Sequence, residues 1–146
     1  MTLVDANILL YAYNADAPEH APSAAWLERA LAGPETIALP LLVVWAFLRL
    51  STNPRVWPSP KTAAEAFGIM KELLALPGVV LLQPGSRHIE ILEALVTTYK
   101  ATGPLMTDAV LAAMALESGA TLASTDRDFS RFENLRWINP LAEPAR

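Results

Sequence analysis

Short hydrophobic runs alternate with longer amphipathic segments along the chain. The short runs have the length and composition of buried strands, and they lie at 2–4, 36–39, 79–82, 121–124 and 136–138. The segments between them predict helices, which lie at 6–13, 24–32, 41–51, 60–76, 87–99 and 108–118. Strands that alternate with helices are typical of an α/β protein. We therefore expect a short parallel sheet with helices on both faces.

Capping residues set the predicted helix boundaries. Serine and threonine side chains accept hydrogen bonds from the free N–H groups of a first helical turn. On this basis the predicted N-caps are Ser23, Ser59, Ser86 and Thr107. Gly119 is predicted to end the last helix, because glycine adopts the left-handed conformation that terminates helices.

The composition is that of a folded domain. The chain has 146 residues, 53% of them hydrophobic and 18% charged, which is typical of a chain with its own core and excludes intrinsic disorder. We see no repeat and no linker, so we expect a single domain over residues 1–146.

Several functional classes are excluded or disfavoured. The chain has no cysteine, which excludes disulfides, thiolate metal sites and thiol catalysis. Its longest apolar run, residues 37–48, is shorter than the roughly twenty residues of a membrane span, and its start does not resemble a signal peptide. We therefore expect a cytoplasmic protein with no membrane association. Glycine-rich phosphate loops and the Gly-x-Ser-x-Gly motif are also absent.

The charge balance limits how the protein could bind nucleic acid. Fifteen acidic residues against eleven basic ones give a net charge of -4, whereas passive nucleic-acid binding needs a basic face. Contact with nucleic acid would therefore depend on local arginines or on a metal ion. The two histidines, His20 and His88, lie outside the acidic positions described next and are predicted to be ordinary surface or half-buried residues.

Four aspartates lie where an α/β sheet binds ligands. Asp5 follows the first strand, Asp126 and Asp128 follow the fourth, and Asp108 opens a predicted helix. The carboxyl ends of parallel strands share one edge of the sheet, so these carboxylates can converge. A divalent cation would relieve their repulsion, and Mg²⁺ and Mn²⁺ favour carboxylate oxygens.

Each aspartate also has an ordinary structural explanation. Asp5 could cap the helix that starts at Ala6, and Asp108 could complement a helix dipole. Asp126 and Asp128 could be turn residues. Their joint position at one edge of the sheet favours the metal site over these separate explanations.

Several segments, in the right order, resemble the PIN-domain ribonucleases. They are Leu-Val-Asp-Ala-Asn-Ile-Leu-Leu-Tyr (3–11), Thr-Asp-Ala-Val-Leu-Ala-Ala (107–113) and Leu-Ala-Ser-Thr-Asp-Arg-Asp-Phe (122–129). Two further segments are similar to one branch of the family, the VapC-type toxins of bacterial toxin–antitoxin pairs. They are Phe-Leu-Arg-Leu-Ser-Thr-Asn-Pro-Arg-Val (47–56) and Leu-Arg-Trp-Ile-Asn-Pro-Leu (135–141).

The resemblance implies a three-layer α/β fold and an endoribonuclease that depends on Mg²⁺ or Mn²⁺. Such toxins cut structured RNA, typically tRNA or rRNA, and stop translation; a cognate antitoxin blocks them, and they usually form homodimers. Carried over to this chain, the resemblance assigns catalysis and metal binding to Asp5, Asp108 and Asp126. Asp128 is then a further carboxylate or a neighbour of the ligands, and the polar neighbours are Asn7 and Ser124.

One departure from the family pattern keeps alternatives open. Many members carry a glutamate on the helix predicted here at 41–51, and this helix has no acidic residue. The metal count, one or two, is therefore open. A catalytically silent PIN-like module that binds RNA or protein is the main alternative, and an RNA-maturation nuclease without an antitoxin is a weaker one.

Contacts with RNA and with protein partners are also predicted. The RNA-binding candidates are Arg127, Arg49 and Arg55, with Lys100 and Arg131 as further basic positions. Trp45 and Phe47 lie on a helix that is apolar on nearly every side, so core packing is the main interpretation. The alternative for these two residues is a dimer or antitoxin groove.

Overall fold

Strands and helices alternate in the computed structural model, which describes residues 1–142. The strands are Thr2–Val4 (β1), Ile37–Pro40 (β2), Val79–Leu82 (β3), Thr121–Ala123 (β4) and Trp137–Ile138 (β5). The helices are Ala6–Ala12 (α1), His20–Ala32 (α2), Leu41–Ser51 (α3), Ala63–Ala75 (α4), His88–Tyr99 (α5) and Pro104–Ser118 (α6). A 3₁₀ helix covers Arg127–Arg131. The predicted α/β class is confirmed.

All strand pairs of the sheet are parallel, and β1 is its central strand. The order is β3-β2-β1-β4-β5. The chain therefore builds the sheet outward on one side of β1 and then returns to add β4 and β5 on the other side. Ligands bind where the strand order reverses in this way. Val4 pairs with Ala123, so the residues that follow β1 and β4 leave the sheet side by side.

The helices form two layers around the sheet. Right-handed crossovers place connections on opposite faces when the strand order reverses. Accordingly, α1 packs against α2 and α3, and α3 against α4, whereas α5 packs against α6. The predicted arrangement of a parallel sheet with helices on both faces is confirmed.

The core lies between these layers. The strand residues Leu3, Val4 and Leu122 are fully buried, as expected for strands covered on both faces. Helix α6 contributes small buried residues, including Ala109 and Ala112. Small side chains allow a helix to approach the sheet closely, so α6 brings its first turns next to the ends of β1 and β4.

The predicted N-caps are wrong for four helices. Ser23 is buried inside α2, and the residues before α5 provide no side-chain cap. For α4 the cap is Thr62 rather than Ser59: its hydroxyl accepts from the Glu65 N–H, and the Glu65 side chain accepts from the Thr62 N–H. This reciprocal capping box satisfies two free N–H groups, which Ser59 could not do.

Helix α6 begins earlier than predicted, and this changes the interpretation of Asp108. Pro104 is the first helical residue, where a missing N–H costs nothing, so the predicted cap Thr107 lies inside the helix. The first turn contains no acidic residue, so Asp108 lies beyond the positions that the helix dipole favours. Gly119 ends the helix with φ 68°, and its predicted role is confirmed.

A carboxylate on α6 holds the loop that precedes α5. Glu117 Oε1 accepts from the Gly85 N–H at 2.7 Å, and Oε2 accepts from the Arg87 N–H at 2.9 Å. Hydrogen bonds to a charged group contribute about 1.5–3 kcal/mol each, and less where water competes. We expect Glu117→Ala to lower the free energy of unfolding by about 1–3 kcal/mol, measured by urea denaturation.

The control is Glu93→Ala, which removes an exposed carboxylate from α5. Glu117→Gln should lose less stability than Glu117→Ala, because an amide oxygen still accepts one bond. Equal stability of the two alanine variants would show that this contact does not stabilise the loop.

Candidate metal centre

Three carboxylates meet at the end of the sheet. Oxygens of Asp108, Asp126 and Asp128 all lie within 4.8 Å of one another. Within residues 1–142, the one ion pair made by this group joins Asp128 to Arg131 at 3.3 Å. Three negative groups thus face one small volume with a single partly exposed cation beside them, which is the donor set that hard divalent cations favour.

The loop after β4 positions two of these carboxylates. Asp126 caps the 3₁₀ helix, and its Oδ1 accepts from the Asp128 N–H at 2.9 Å. Phe129 and Phe132 are buried on the other side of this turn and attach it to the core. The two buried rings therefore anchor the backbone of the turn that carries the two carboxylates.

Asp5 is held beside this group by hydrogen bonds. Its Oδ1 accepts from the Ala6 N–H at 2.7 Å, so it does cap α1. Its Oδ2 accepts from the Ser124 hydroxyl at 2.7 Å and from Asn7 Nδ2 at 3.3 Å. Burial raises the pKa of Asp5, the bonds to Ser124 and Ala6 oppose that rise, and nearby Asp126 adds to it. Asp5 is thus both a helix cap and part of the acidic edge.

Ser124 connects the ends of β1 and β4. It is fully buried, and its Oγ donates to Asp5 while accepting from Asn7 Nδ2 at 3.1 Å and from the Asp126 N–H at 3.0 Å. Asn7 Oδ1 in turn accepts from the Thr125 N–H at 3.3 Å. One hydroxyl therefore sets the relative positions of two acidic residues from different strands.

The electrostatics of the cluster are most visible at Asp108. Its pKa is raised to about 6, first by burial and then by the charges of Asp126, Asp5 and Asp128, while Arg131 lowers it slightly. A bound cation lowers the free-energy cost of ionising a carboxylate that lies among other carboxylates. The donor set therefore fits a divalent metal ion.

A cavity of about 310 Å³ opens beside the carboxylates. Its walls come from α3, from α6 and from the start of α1. Its lining residues are Asp5, Ala6, Leu42, Val43, Trp45, Ala46, Arg49, Thr107, Asp108 and Leu111. The cavity is thus acidic where α6 and the start of α1 line it, mainly apolar along α3, and has one arginine in its wall.

Comparison with known proteins identifies the family. The family model of the PIN domain matches residues 2–135, nearly the whole chain. The chain belongs to the PIN-domain family. Within the family it belongs with the VapC proteins: ribonuclease VapC37 of Mycobacterium tuberculosis (strain ATCC 25618 / H37Rv) is 43% identical over 143 residues, covering 97% of this chain and 99% of that protein.

Solved structures share the PIN fold. A toxin–antitoxin complex from Klebsiella pneumoniae has a TM-score of 0.64 at 19% identity, covering 96% of this chain and 98% of that chain. Mycobacterium tuberculosis VapC20, described as a sarcin-ricin loop cleaving toxin, has a TM-score of 0.65 at 18% identity, covering 91% and 95%. At these identities the likeness establishes the fold.

The predicted ligands of this PIN domain lie together with a fourth carboxylate. Asp5, Asp108 and Asp126 lie at the same edge, and Asp128 forms a group of three with Asp108 and Asp126. The Asp126-x-Asp128 spacing was the available signal, because it places both carboxylates on one short turn. Asn7 and Ser124 contact Asp5, as predicted for polar neighbours. The roles of all these residues remain predictions.

The predicted RNA-binding arginines occupy different places in the PIN domain. Arg49 lines the cavity beside the carboxylates. Arg55 lies in the loop after α3, and Arg127 begins the 3₁₀ helix; both are exposed. Neither of these two forms an ion pair within the described part of the chain. Arg49 thus lies in the wall of the cavity, Arg127 lies between two of the clustered carboxylates in the chain, and Arg55 is in neither group.

The two aromatic residues of α3 have different environments. The core interpretation is right for Phe47, which is fully buried and packs edge-to-face against Tyr13. It is wrong for Trp45, whose exposed fraction is 60% and which lines the cavity. One helix therefore turns one aromatic ring into the core and another towards the site.

The histidines lie outside the PIN-domain site, as predicted. The His20 ring lies 3.0 Å from the carbonyl oxygen of Tyr11, through Nδ1. His88 is buried, rather than at the surface or half-buried as predicted.

Among residues 1–142, no helix has both the length and the apolar character that crossing a membrane requires.

Proposed function

We propose that this protein is a metal-dependent endoribonuclease toxin that cuts structured RNA and is neutralised by a cognate antitoxin. The observation that carries the proposal is the group of three carboxylates at the switch point of a PIN-domain sheet. The 43% identical relative is named a ribonuclease, which supports the same reaction for this chain. The proposed domain spans residues 1–146, of which 143–146 lie outside the described residues, and the proposed site of action is the cytoplasm.

The residues that would hold Mg²⁺ or Mn²⁺ are Asp108, Asp126 and Asp128, with Asp5 beside them. The fit rests on the short distances between their oxygens and on the raised pKa of Asp108. A divalent cation supplies Lewis acidity, which polarises the phosphodiester and favours loss of a proton from the attacking water. The catalytic residues in this proposal are Asp5, Asp108 and Asp126.

Other side chains of the protein would position the carboxylates and the RNA backbone. Ser124 and Asn7 each donate a hydrogen bond to the Asp5 carboxylate, and Asn7 also donates one to Ser124. Together these bonds fix the orientation of the carboxylate. Arg49 is placed in the wall of the cavity, where it would attract the negatively charged phosphate backbone. Exposed Arg55 and Arg127 would contribute further phosphate contacts.

The proposed substrate is a structured RNA, tRNA or rRNA. One structural neighbour, VapC20, is described as cleaving the sarcin-ricin loop, which supports a folded RNA as the target class. Cutting either RNA would inhibit translation. Another neighbour was solved as a toxin–antitoxin complex, which supports an antitoxin partner. We also propose that the toxin forms a homodimer.

The proposal is tested in a cell-free translation reaction. Added wild-type protein should stop translation and generate discrete fragments of tRNA or rRNA, whereas Asp126→Asn should do neither. Preincubation of the toxin with the purified product of the neighbouring gene should preserve translation. Normal translation with intact RNA at high toxin concentration would contradict the proposal.

The second candidate function is a binding module without catalysis. It is favoured by helix α3, which contributes Trp45 and Arg49 to the cavity but no carboxylate. Such a module would bind RNA and leave it intact in both Mg²⁺ and Mn²⁺. Metal-dependent cleavage by the wild type excludes it.

Ser124→Ala should reduce both stability and cleavage. It leaves the Asn7 amide and the Asp126 N–H without their buried acceptor, which costs about 1–3 kcal/mol. Loss of the hydroxyl that orients Asp5 should lower cleavage about 10–100-fold, as is typical for groups that position metal ligands. The control is Ser130→Ala, which removes an exposed hydroxyl from the 3₁₀ helix. Equal cleavage by the two variants would show that Ser124 does not position the site.

A further inference from the structure

Trp45 is an exposed aromatic ring at the wall of the site. Its exposed fraction is 60%, although its neighbours on α3, Val44 and Phe47, are buried. Ligand pockets are concave and are lined mainly by apolar and aromatic side chains, so an exposed ring in the wall of a cavity is available to contact a ligand. The same cavity is also lined by Asp5 and Asp108.

The cavity combines three kinds of group in a small space. Its volume of about 310 Å³ is at the lower end of ligand pockets, which span about 300–1,000 Å³. This favours one flat group over a bulky one. Arg49 lies one helical turn after Trp45 and lines the same cavity, so an aromatic face and a cation lie on the same side of α3.

This combination matches the chemistry of one nucleotide. An aromatic side chain stacks on the face of a nucleobase, and an arginine pairs with its phosphate. The acidic part of the cavity would repel that phosphate in the absence of a cation. Under the proposed function a divalent cation is bound there and removes this repulsion. An apolar ring, an arginine and a metal site therefore complement a base and the phosphates on its two sides.

We propose that Trp45 stacks on an unpaired base next to the scissile phosphate and is thereby a substrate-binding residue of the site. The inference rests on the proposed ribonuclease function and assigns this contact with the substrate to one side chain. A base inside a duplex has both faces covered by its neighbours. It can reach Trp45 only after unstacking, which costs a few kcal/mol. Loops and bulges offer the face of the base without that cost.

Binding to two RNAs tests the proposal without cleavage. The protein carries Asp5→Asn, which should stop cleavage but leaves the group of Asp108, Asp126 and Asp128 intact. The probes are a fluorescein-labelled RNA hairpin with an unpaired loop and a blunt duplex of the hairpin's stem, in Mg²⁺. Trp45→Leu should weaken hairpin binding about 5- to 150-fold, which corresponds to about 1–3 kcal/mol per stacked base. Duplex binding should stay the same. Hairpin binding unchanged by Trp45→Leu, or equal losses on both RNAs, would overturn the proposal.

Matched variants separate stacking from folding. Trp45→Phe retains an aromatic face and should recover most of the hairpin affinity, whereas Trp45→Leu retains only apolar area. Phe67→Leu is the control, because Phe67 is also exposed, at 51%, but lies on α4 and not in the cavity. Its hairpin affinity should equal that of the parent protein. Failure of Trp45→Phe to rescue binding would contradict stacking.

Cleavage by the otherwise wild-type protein gives the second readout. Trp45→Leu should raise the KM for the hairpin with a smaller effect on kcat, because the ring contacts the base and not the reacting atoms. If wild-type protein cuts no RNA, the proposed function fails, whereas the binding experiment still decides whether Trp45 stacks on bases. If Trp45→Leu binds and cuts RNA normally but escapes the antitoxin, the ring contacts the protein partner and our inference is wrong.

Discussion

Asp108→Asn should abolish RNA cleavage and at the same time make the metal-free protein more stable. The loss of cleavage should reach about 10²–10³-fold or more, which is typical of removing one preorganised electrostatic group from an active site. The gain in stability follows from the cluster. Asp108 is partly buried and faces three other aspartates, so ionising it costs free energy that a neutral amide avoids.

The expected gain can be estimated from the pKa. A pKa of about 6, against the ordinary value of 3.8, corresponds to about 3 kcal/mol of destabilisation at pH 7.5. Because Asp108 is partly exposed, solvent screening reduces the expected gain to about 1–2 kcal/mol. Urea denaturation in EDTA measures it, and cleavage is followed on total bacterial RNA in Mg²⁺.

The control for this prediction is Asp16→Asn, which neutralises an exposed aspartate in the loop before α2. This variant should keep wild-type cleavage and wild-type stability. Asp5→Asn and Asp126→Asn should also lose cleavage. Cleavage by Asp108→Asn at the rate of Asp16→Asn would remove Asp108 from the site, and reduced stability of Asp108→Asn would contradict the repulsive cluster.

The second prediction concerns pH. Raising the pH should strengthen metal binding, whereas it should weaken the contribution of Asp108 to the stability of the metal-free protein. Metal ligands must be deprotonated. With a pKa of about 6 at Asp108, the affinity for Mn²⁺ should therefore fall about tenfold between pH 7 and pH 5. Titration calorimetry at the two pH values measures this change, and cleavage at limiting Mn²⁺ should fall with it.

Metal-free stability should change in the other direction. The folded-state pKa of Asp108 lies above its unfolded value of 3.8, so the folded state binds the proton more tightly. Its stabilising contribution is complete below pH 3.8 and is lost as the pH rises through about 6. The contribution is best isolated as the stability difference between wild type and Asp108→Asn, measured in EDTA. A difference that stays constant between pH 4.5 and 7.5 would contradict the raised pKa.

The fold was largely predictable because its determinants are local. Helix α3 and strand β3 have the predicted bounds, since Pro40 and the Pro77-Gly78 pair break the chain just before them. The helix starts were less predictable, because α2, α5 and α6 begin without any side-chain cap. At α4 the deciding signal was the glutamate three residues after Thr62, which completes a capping box.

The candidate site was predictable in its location but not in its geometry. The positions of the aspartates after predicted strands indicated that they would meet at one edge of the sheet. The structure places all four aspartates at that edge. The sequence does not reveal that Ser124 binds Asp5 while Asp128 joins the tight group, because these contacts depend on side-chain positions across two strands. Nor could the apolar pattern of α3 separate exposed Trp45 from buried Phe47, since nearly every side of that helix is hydrophobic.

One measurement tests the central claim most directly: cleavage of total bacterial RNA by the purified protein in Mg²⁺ or Mn²⁺, compared with EDTA and with Asp108→Asn. We predict discrete RNA fragments with the wild type in either metal ion. We predict no fragments in EDTA or with Asp108→Asn. Fragments that persist in EDTA, or equal cleavage by Asp108→Asn, would contradict a metal-dependent ribonuclease built on these carboxylates.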